Sequence, residues 1–196
     1  EIIFLSDRGG AGLCINMFSL DLNTGEMTQL TDEANGIAFH QYTKTPDSEY
    51  IAYITDNKLR VLHRPTGVIR TVYEDDQMEF GSIFISPDKQ WIGMTRNEKV
   101  SVEYNTRENY HGFKEKMYDI KDGRISVVRL NGGGFHDVFC DTHWLGHFQF
   151  SPDNANIAMF CHEGPWNYVQ QRIWLIDMTD GRVWPCFRQQ EDDSVG

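Results

Sequence analysis

Short apolar runs alternate with polar residues along the whole chain, and each run is about one strand long. Tyr50-Ile-Ala-Tyr-Ile54, Trp91-Ile-Gly-Met94 and Ile157-Ala-Met-Phe160 are three of them. Each follows a turn of one kind: Thr45-Pro46-Asp47, Ser86-Pro87-Asp88 and Ser151-Pro152-Asp153. Proline presets φ in such a turn, and the Asp side chain bonds back to its own backbone. A second marker recurs at Asn23-Thr-Gly25, Pro65-Thr-Gly67, Asn131-Gly-Gly133 and Thr179-Asp-Gly181. Glycine supplies the positive φ of a hairpin turn at these points. No helical period appears between the turns.

Asp88 follows Asp47 by 41 residues (88 − 47), and Asp153 follows Asp88 by 65 (153 − 88). Four short strands per unit of roughly 40 residues predict the blades of a β-propeller. The expected fold class is therefore all-β, with about four blades of four-stranded antiparallel sheet, strands A to D running outward from a central channel. Blade one, 1–33, lacks strand A, because the chain opens on strand B at Glu1-Ile-Ile-Phe-Leu5. Blade two covers 38–73, blade three 81–140 and blade four 146–188, and 189–196 is a connector. Because propellers close as rings, the expectation is one partial propeller, a segment of a larger ring. Blade three is longer by about 24 residues (65 − 41), inserted between its strands B and C over 96–121. Long loops on rigid scaffolds tend to carry function.

Strand direction sorts the residues. A–B and C–D turns share one face of the disc, and B–C and D–A loops share the other. The second face collects His147, His162-Glu163-Gly164-Pro165 and Arg172 of blade four, together with the insertion. The residue six before each turn Asp starts a strand A near the channel mouth, which selects Gln41, Ser82 and His147. Each candidate has a plain alternative: His147 and Arg172 as contacts between blades, His162-Glu163 as a pair that stiffens a loop. His111, His136 and His143 read as solvated loop residues.

Composition changes the picture little. The formal net charge of −11 argues against nucleic acid or an anionic membrane as partner. No apolar run is long enough to span a bilayer. The first residues show no signal peptide. Four cysteines without metal spacing read as thiols in a reducing compartment, so the expected location is cytoplasmic. No nucleophile elbow, phosphate loop, HExxH or dinucleotide fingerprint is present.

Trp144-Leu-Gly-His147, Cys161-His-Glu-Gly-Pro165, Arg172-Ile-Trp-Leu-Ile176 and Leu20-Asp-Leu-Asn-Thr-Gly-Glu-Met-Thr-Gln-Leu-Thr31 resemble the oligogalacturonate lyases. That resemblance implies a seven-bladed propeller enzyme of the cell interior, a polysaccharide lyase of pectin breakdown. It implies cleavage of short oligogalacturonides by β-elimination, assisted by Mn²⁺ or another divalent cation. Arg172, ahead of Ile-Trp-Leu-Ile, matches the family's catalytic Arg. The family's catalytic His and its metal ligands would fall beyond Gly196, so this segment is expected to hold no metal ligand and only part of a site. His147, His162, Glu163 and Gln41 are the expected substrate contacts; the partners are the oligogalacturonide and the remaining blades. The alternative reading is a non-catalytic propeller that docks other proteins through the same Pro-Asp repeats. A third is the propeller of a prolyl-peptidase-like hydrolase whose nucleophile lies on another domain.

Overall fold

The computed structural model describes residues 1–8, 14–38, 41–101, 112–169 and 171–187. Its strands form antiparallel sheets that follow one another in chain order. The first sheet has three strands, β1 (Ile2–Ser6), β2 (Asn16–Leu20) and β3 (Met27–Gln29). The next three sheets have four strands each. Blade two holds β4 (Tyr42–Lys44), β5 (Tyr50–Thr55), β6 (Lys58–His63) and β7 (Val68–Glu74). Blade three holds β8 (Met78–Ile85), β9 (Trp91–Glu98), β10 (Gly123–Arg129) and β11 (His136–Asp141). Blade four holds β12 (Trp144–Phe150), β13 (Ile157–Gly164), β14 (Ile173–Asp177) and β15 (Val183–Pro185). The all-β blade architecture expected from the turns is the one found.

Alternation along the second strands explains why the sheets stack. In β5, Ile51 and Tyr53 point one way, into a core with Met17, Ile37 and Leu62. Ala52 and Ile54 point the other way, against Phe80, Ile83, Ile92 and Met94 of blade three. The step repeats once more: Ile125 and Val127 of blade three meet Leu145, Phe148, Phe150 and Phe160 of blade four. A strand buried on both faces is what sheet-on-sheet packing demands. Gly93 is part of the fit, since a Cβ there would overlap the Phe148 ring.

The Pro-Asp turns share one hydrogen-bond scheme. The hydroxyls of Thr45, Ser86 and Ser151 donate to the Asp47, Asp88 and Asp153 carboxylates at 2.6, 2.5 and 2.6 Å. The backbone N–H of the same three residues donates to the carbonyls of Tyr50, Trp91 and Ile157 at 3.0, 2.8 and 2.8 Å.

One element departs from the sequence expectation. The insertion contains a helix, α1 (Phe113–Asp119). Seven residues make about two turns, too few to show a period, and a helix so short depends on tertiary packing. Met117 is its buried residue and lies against Gly164 of β13. Phe113 sits 4.8 Å from the Trp144 ring and 6.3 Å from Trp166. The Tyr118 hydroxyl is 2.9 Å from Asn167 Oδ1. The insertion of blade three thus roofs the B–C loop of blade four. Positions 102–111, including His111, and the connector 189–196 lie outside the described residues.

Candidate functional site

A cavity of about 250 Å³ opens on the loop face, between the inner strands of blades two, three and four. Gln41, Ser82, Asn97, Trp144, His147 and Glu163 line it, with Lys116 of α1 at its edge. The strand-A starts Gln41, Ser82 and His147 meet Glu163 at the end of β13 in this cavity's wall, while His162, Pro165 and Arg172 of the expected cluster are not among its lining residues.

His147 and Glu163 of this wall belong to a chain of three charged or ionisable side chains, whose third member, Arg172, lies behind Glu163 and is not among the lining residues. Glu163 is buried at 7% exposure, at the inner end of β13. Gly146 makes room for it, because a Cβ there would overlap the Glu163 carboxylate. His147 Nε2 lies 3.1 Å from Glu163 Oε1, and Arg172 Nη2 lies 3.7 Å from Oε2. Burial pushes the Glu163 carboxyl above the usual range, against the pull of His147 and Arg172. His147 is exposed at a break in the pairing of β12 with β13, and its φ of 50° lies in the left-handed region. Such a conformation in a non-glycine residue is held only where the surroundings impose it. The result is an imidazole directed into the cavity.

Arg172 ends the loop that returns to β14. Its guanidinium lies 5.2 Å from the centroid of Trp166, and its Nε is buried with no hydrogen-bond partner among the described residues. One carboxylate at 3.7 Å, one ring face and the Cys161 thiol are the contacts that hold the cation. A planar carboxylate could still be received in bidentate fashion.

Gln41 points to the same cavity, where its Nε2 donates to the Phe80 carbonyl and ties blade two to blade three. His162 goes elsewhere. It is buried on the opposite side of β13, with Nε2 3.1 Å from Asp141 Oδ2. His143 Nδ1 is 2.7 Å from the other carboxylate oxygen. Burial pushes Asp141 up, but hydrogen bonds from His162 and His143 outweigh it and hold the carboxyl well below the usual range. The sequence singled out four members of the cavity wall (Gln41, Ser82, His147 and Glu163), but it missed Asp141 and the aromatic roof. Asp141 had a signal: like Asp75, it ends a blade just before the next strand A.

Asp141, His143 and His162 carry ligand atoms within 4.8 Å of one another, and their donor types suit a divalent cation. Their spacing is that of hydrogen bonds. Moreover, the same link recurs one blade earlier, where the Asp75 carboxylate accepts from Arg96 of β9. The trio ties blade three to blade four, and among the described residues it is the group whose donors could hold a metal ion, where the sequence led to the expectation of none.

Four stacked sheets with repeated turns and a loop-face cavity define the class: a β-propeller, resembled also by the TolB of Acinetobacter baumannii (TM-score 0.58, 15% identity over 86% of this chain and 36% of that one). The family model "Oligogalacturonate lyase" matches residues 6–193, and the chain belongs to that family. The oligogalacturonate lyase of Dickeya dadantii is 27% identical over 167 residues, 83% of this chain and 42% of that protein. The oligogalacturonide lyase of Pectobacterium atrosepticum is 28% identical over the same shares. A solved oligogalacturonate lyase in complex with manganese superposes with a TM-score of 0.80 at 25% identity, over 97% of this chain and 50% of that one. The oligogalacturonate lyase of Vibrio parahaemolyticus gives 0.82 at 23% identity over the same shares. The chain thus spans well under two thirds of the curated relatives' length.

Proposed function

We propose that the protein containing this chain cleaves short oligogalacturonides by β-elimination and that Arg172 is the charge-stabilising residue. The observation that carries the reading is the Arg172 guanidinium, held by Glu163, Trp166 and the Cys161 thiol with an unpartnered buried Nε, beside the cavity of a chain of this family. In the reaction a base takes the C5 proton of a uronate, the C4–O bond breaks, and a 4,5-unsaturated sugar end forms. Negative charge builds on the carboxylate side of C5 before the leaving group departs. A fixed cation there lowers the barrier.

Each residue of this chain then has a task. Arg172 receives the uronate carboxylate. Glu163 and Trp166 fix the guanidinium's position, since a carboxylate on one edge and a ring on one face leave the other edge for substrate. His147 and Gln41 offer polar contacts to sugar hydroxyls, and Trp144 offers an apolar wall. His162 supports this wall from behind β13 rather than touching sugar. The family resemblance implies a His as the base. A divalent cation, manganese in one structural relative, would add charge on the carboxylate when bound. The Asp141 trio lies across β13 from the cavity, so a cation held there would not face the substrate carboxylate.

The test gives the full-length protein digalacturonate with Mn²⁺ and follows ultraviolet absorbance of the unsaturated product. A rise supports the reading. No rise, in a folded protein, sinks it and favours the interaction-module alternative.

A further inference from the structure

The turn face, opposite the proposed lyase site, holds two clefts built in the same way, where the A–B and C–D turns of neighbouring blades meet. They differ in charge. The cleft between blades one and two is lined by Glu1, Asp21 and Glu26, and its one arginine, Arg64, is paired with Glu1 at 2.5 Å. The cleft between blades two and three, about 420 Å³, is lined by His63, Arg70, Lys89 and Arg129. No Asp or Glu stands among its described lining residues. In a chain with 29 acidic and 18 basic residues, that lining runs against the average surface. Val61 and Leu130 form a buried floor, and Tyr50 makes a side wall, its ring 4.9 Å from that of His63.

Not all four cations are free to act. Lys89 Nζ bridges Asp47 and Glu49 at 2.5 and 2.6 Å, and Glu49 also reaches His63 at 3.5 Å. The unneutralised charge belongs to the two arginines. Arg60, Arg64, Arg96, Arg124, Arg172 and Arg182 each have a carboxylate partner. Arg70 and Arg129 have none among the described residues. The Arg129 guanidinium lies instead 4.4 Å from the Trp91 ring centroid, which fixes its place and leaves its donors unused. A cleft of this size, with an apolar floor and a few convergent cations, has the make-up of a small-ligand site.

We infer that this cleft binds a small ligand with two anionic groups, phosphate or carboxylate, which Arg70 and Arg129 bind while Tyr50 faces its body. The inference does not depend on the lyase reading. Isothermal titration of the full-length Arg172→Ala protein uses two probes, inorganic phosphate and digalacturonate. At least one binds saturably, and Arg70→Gln combined with Arg129→Gln weakens it roughly tenfold or more per guanidinium removed. Phosphate binding alone marks a phosphate-type ligand, and digalacturonate binding alone marks a uronate. Arg129→Gln also removes a packing contact with Trp91, so Arg70→Gln, on the exposed part of β7, is measured by itself. Lyase turnover of the Arg70→Gln protein, with Arg172 intact, stays at wild type, which separates this site from the other. No saturable binding of either probe, or binding unchanged in Arg70→Gln and in the double variant, overturns the inference.

Discussion

Blades three and four use the same positions for different ends. Trp91 and Ile157 close equivalent turns, so Arg96 corresponds to His162 and Asn97 to Glu163. Arg96 pairs across the sheet with Arg124, and the His162 N–H donates to the Arg172 carbonyl at 2.9 Å, so Arg124 corresponds to Arg172. In blade three every one of these is satisfied. Arg96 is 4% exposed and engages Asp75, Asp137 at 2.5 Å and Ser126 at 3.0 Å. Arg124 has Asp122 at 2.7 Å and Asp137 at 3.0 Å. Asn97 donates to and accepts from the backbone of Leu145, at 3.0 and 2.9 Å, and clamps blade four in place. In blade four the corresponding Arg has one carboxylate at 3.7 Å, and the corresponding Glu is buried with its carboxyl pushed up. The corresponding strand-A residue, His147, holds a left-handed φ where Ser82 simply donates its N–H to Thr95 Oγ1 at 3.0 Å. Blade three spends these residues on holding the fold; blade four does so only with His162, paired to Asp141, and leaves His147, Glu163 and Arg172 under-satisfied.

This comparison can be broken by measurement. The largest stability effect belongs to Arg96→Met. It leaves the buried Asp75 carboxylate with no cation among the described residues and takes one of two from Asp137, and it costs roughly 3–5 kcal/mol, as removal of one partner from a buried ion cluster does. Denaturant unfolding of the full-length protein reads it; a loss under about 1 kcal/mol would deny that blade three is the structural one. Asp141→Asn comes next, at about 2 kcal/mol near neutral pH, because hydrogen bonds to a charged acceptor are lost. Its sign with pH follows from the direction of the shift. A carboxyl held low in the folded state stabilises above its unfolded value and loses that contribution as pH falls through its folded one. The gap between wild type and Asp141→Asn therefore narrows in acid. The smallest effect is Glu163→Gln, which gains about 1 kcal/mol near neutral pH by removing a buried charge. A carboxyl raised in the folded state contributes stability below its unfolded value and loses it as pH rises through the folded one. The gain from Glu163→Gln therefore vanishes in acid, while turnover falls because the guanidinium loses its anchor.

Much of the fold is legible in the sequence. The Pro-Asp and Gly turns mark hairpins by local chemistry, and their recurrence implies blades. Counting back from each turn Asp reached Gln41, Ser82 and His147, all on the cavity wall. What failed was side-chain direction. His162 and Glu163 are neighbours in β13, so they point to opposite sides of the sheet, and only Glu163 faces the cavity. Helix α1 was hidden because its stability comes from Phe113 and Met117 packing on another blade, which no local period reveals.

The central claim is that Arg124 and Arg172, equivalent in register, divide structure from chemistry. One paired experiment on the full-length protein tests it: thermal midpoint and kcat on digalacturonate for Arg124→Ala and Arg172→Ala. The account predicts that Arg172→Ala loses on the order of 10²–10³ in kcat with its midpoint almost unmoved. Arg124→Ala should lower the midpoint and keep wild-type turnover in the folded fraction. Wild-type turnover in Arg172→Ala, or a collapse of turnover in folded Arg124→Ala, would contradict it.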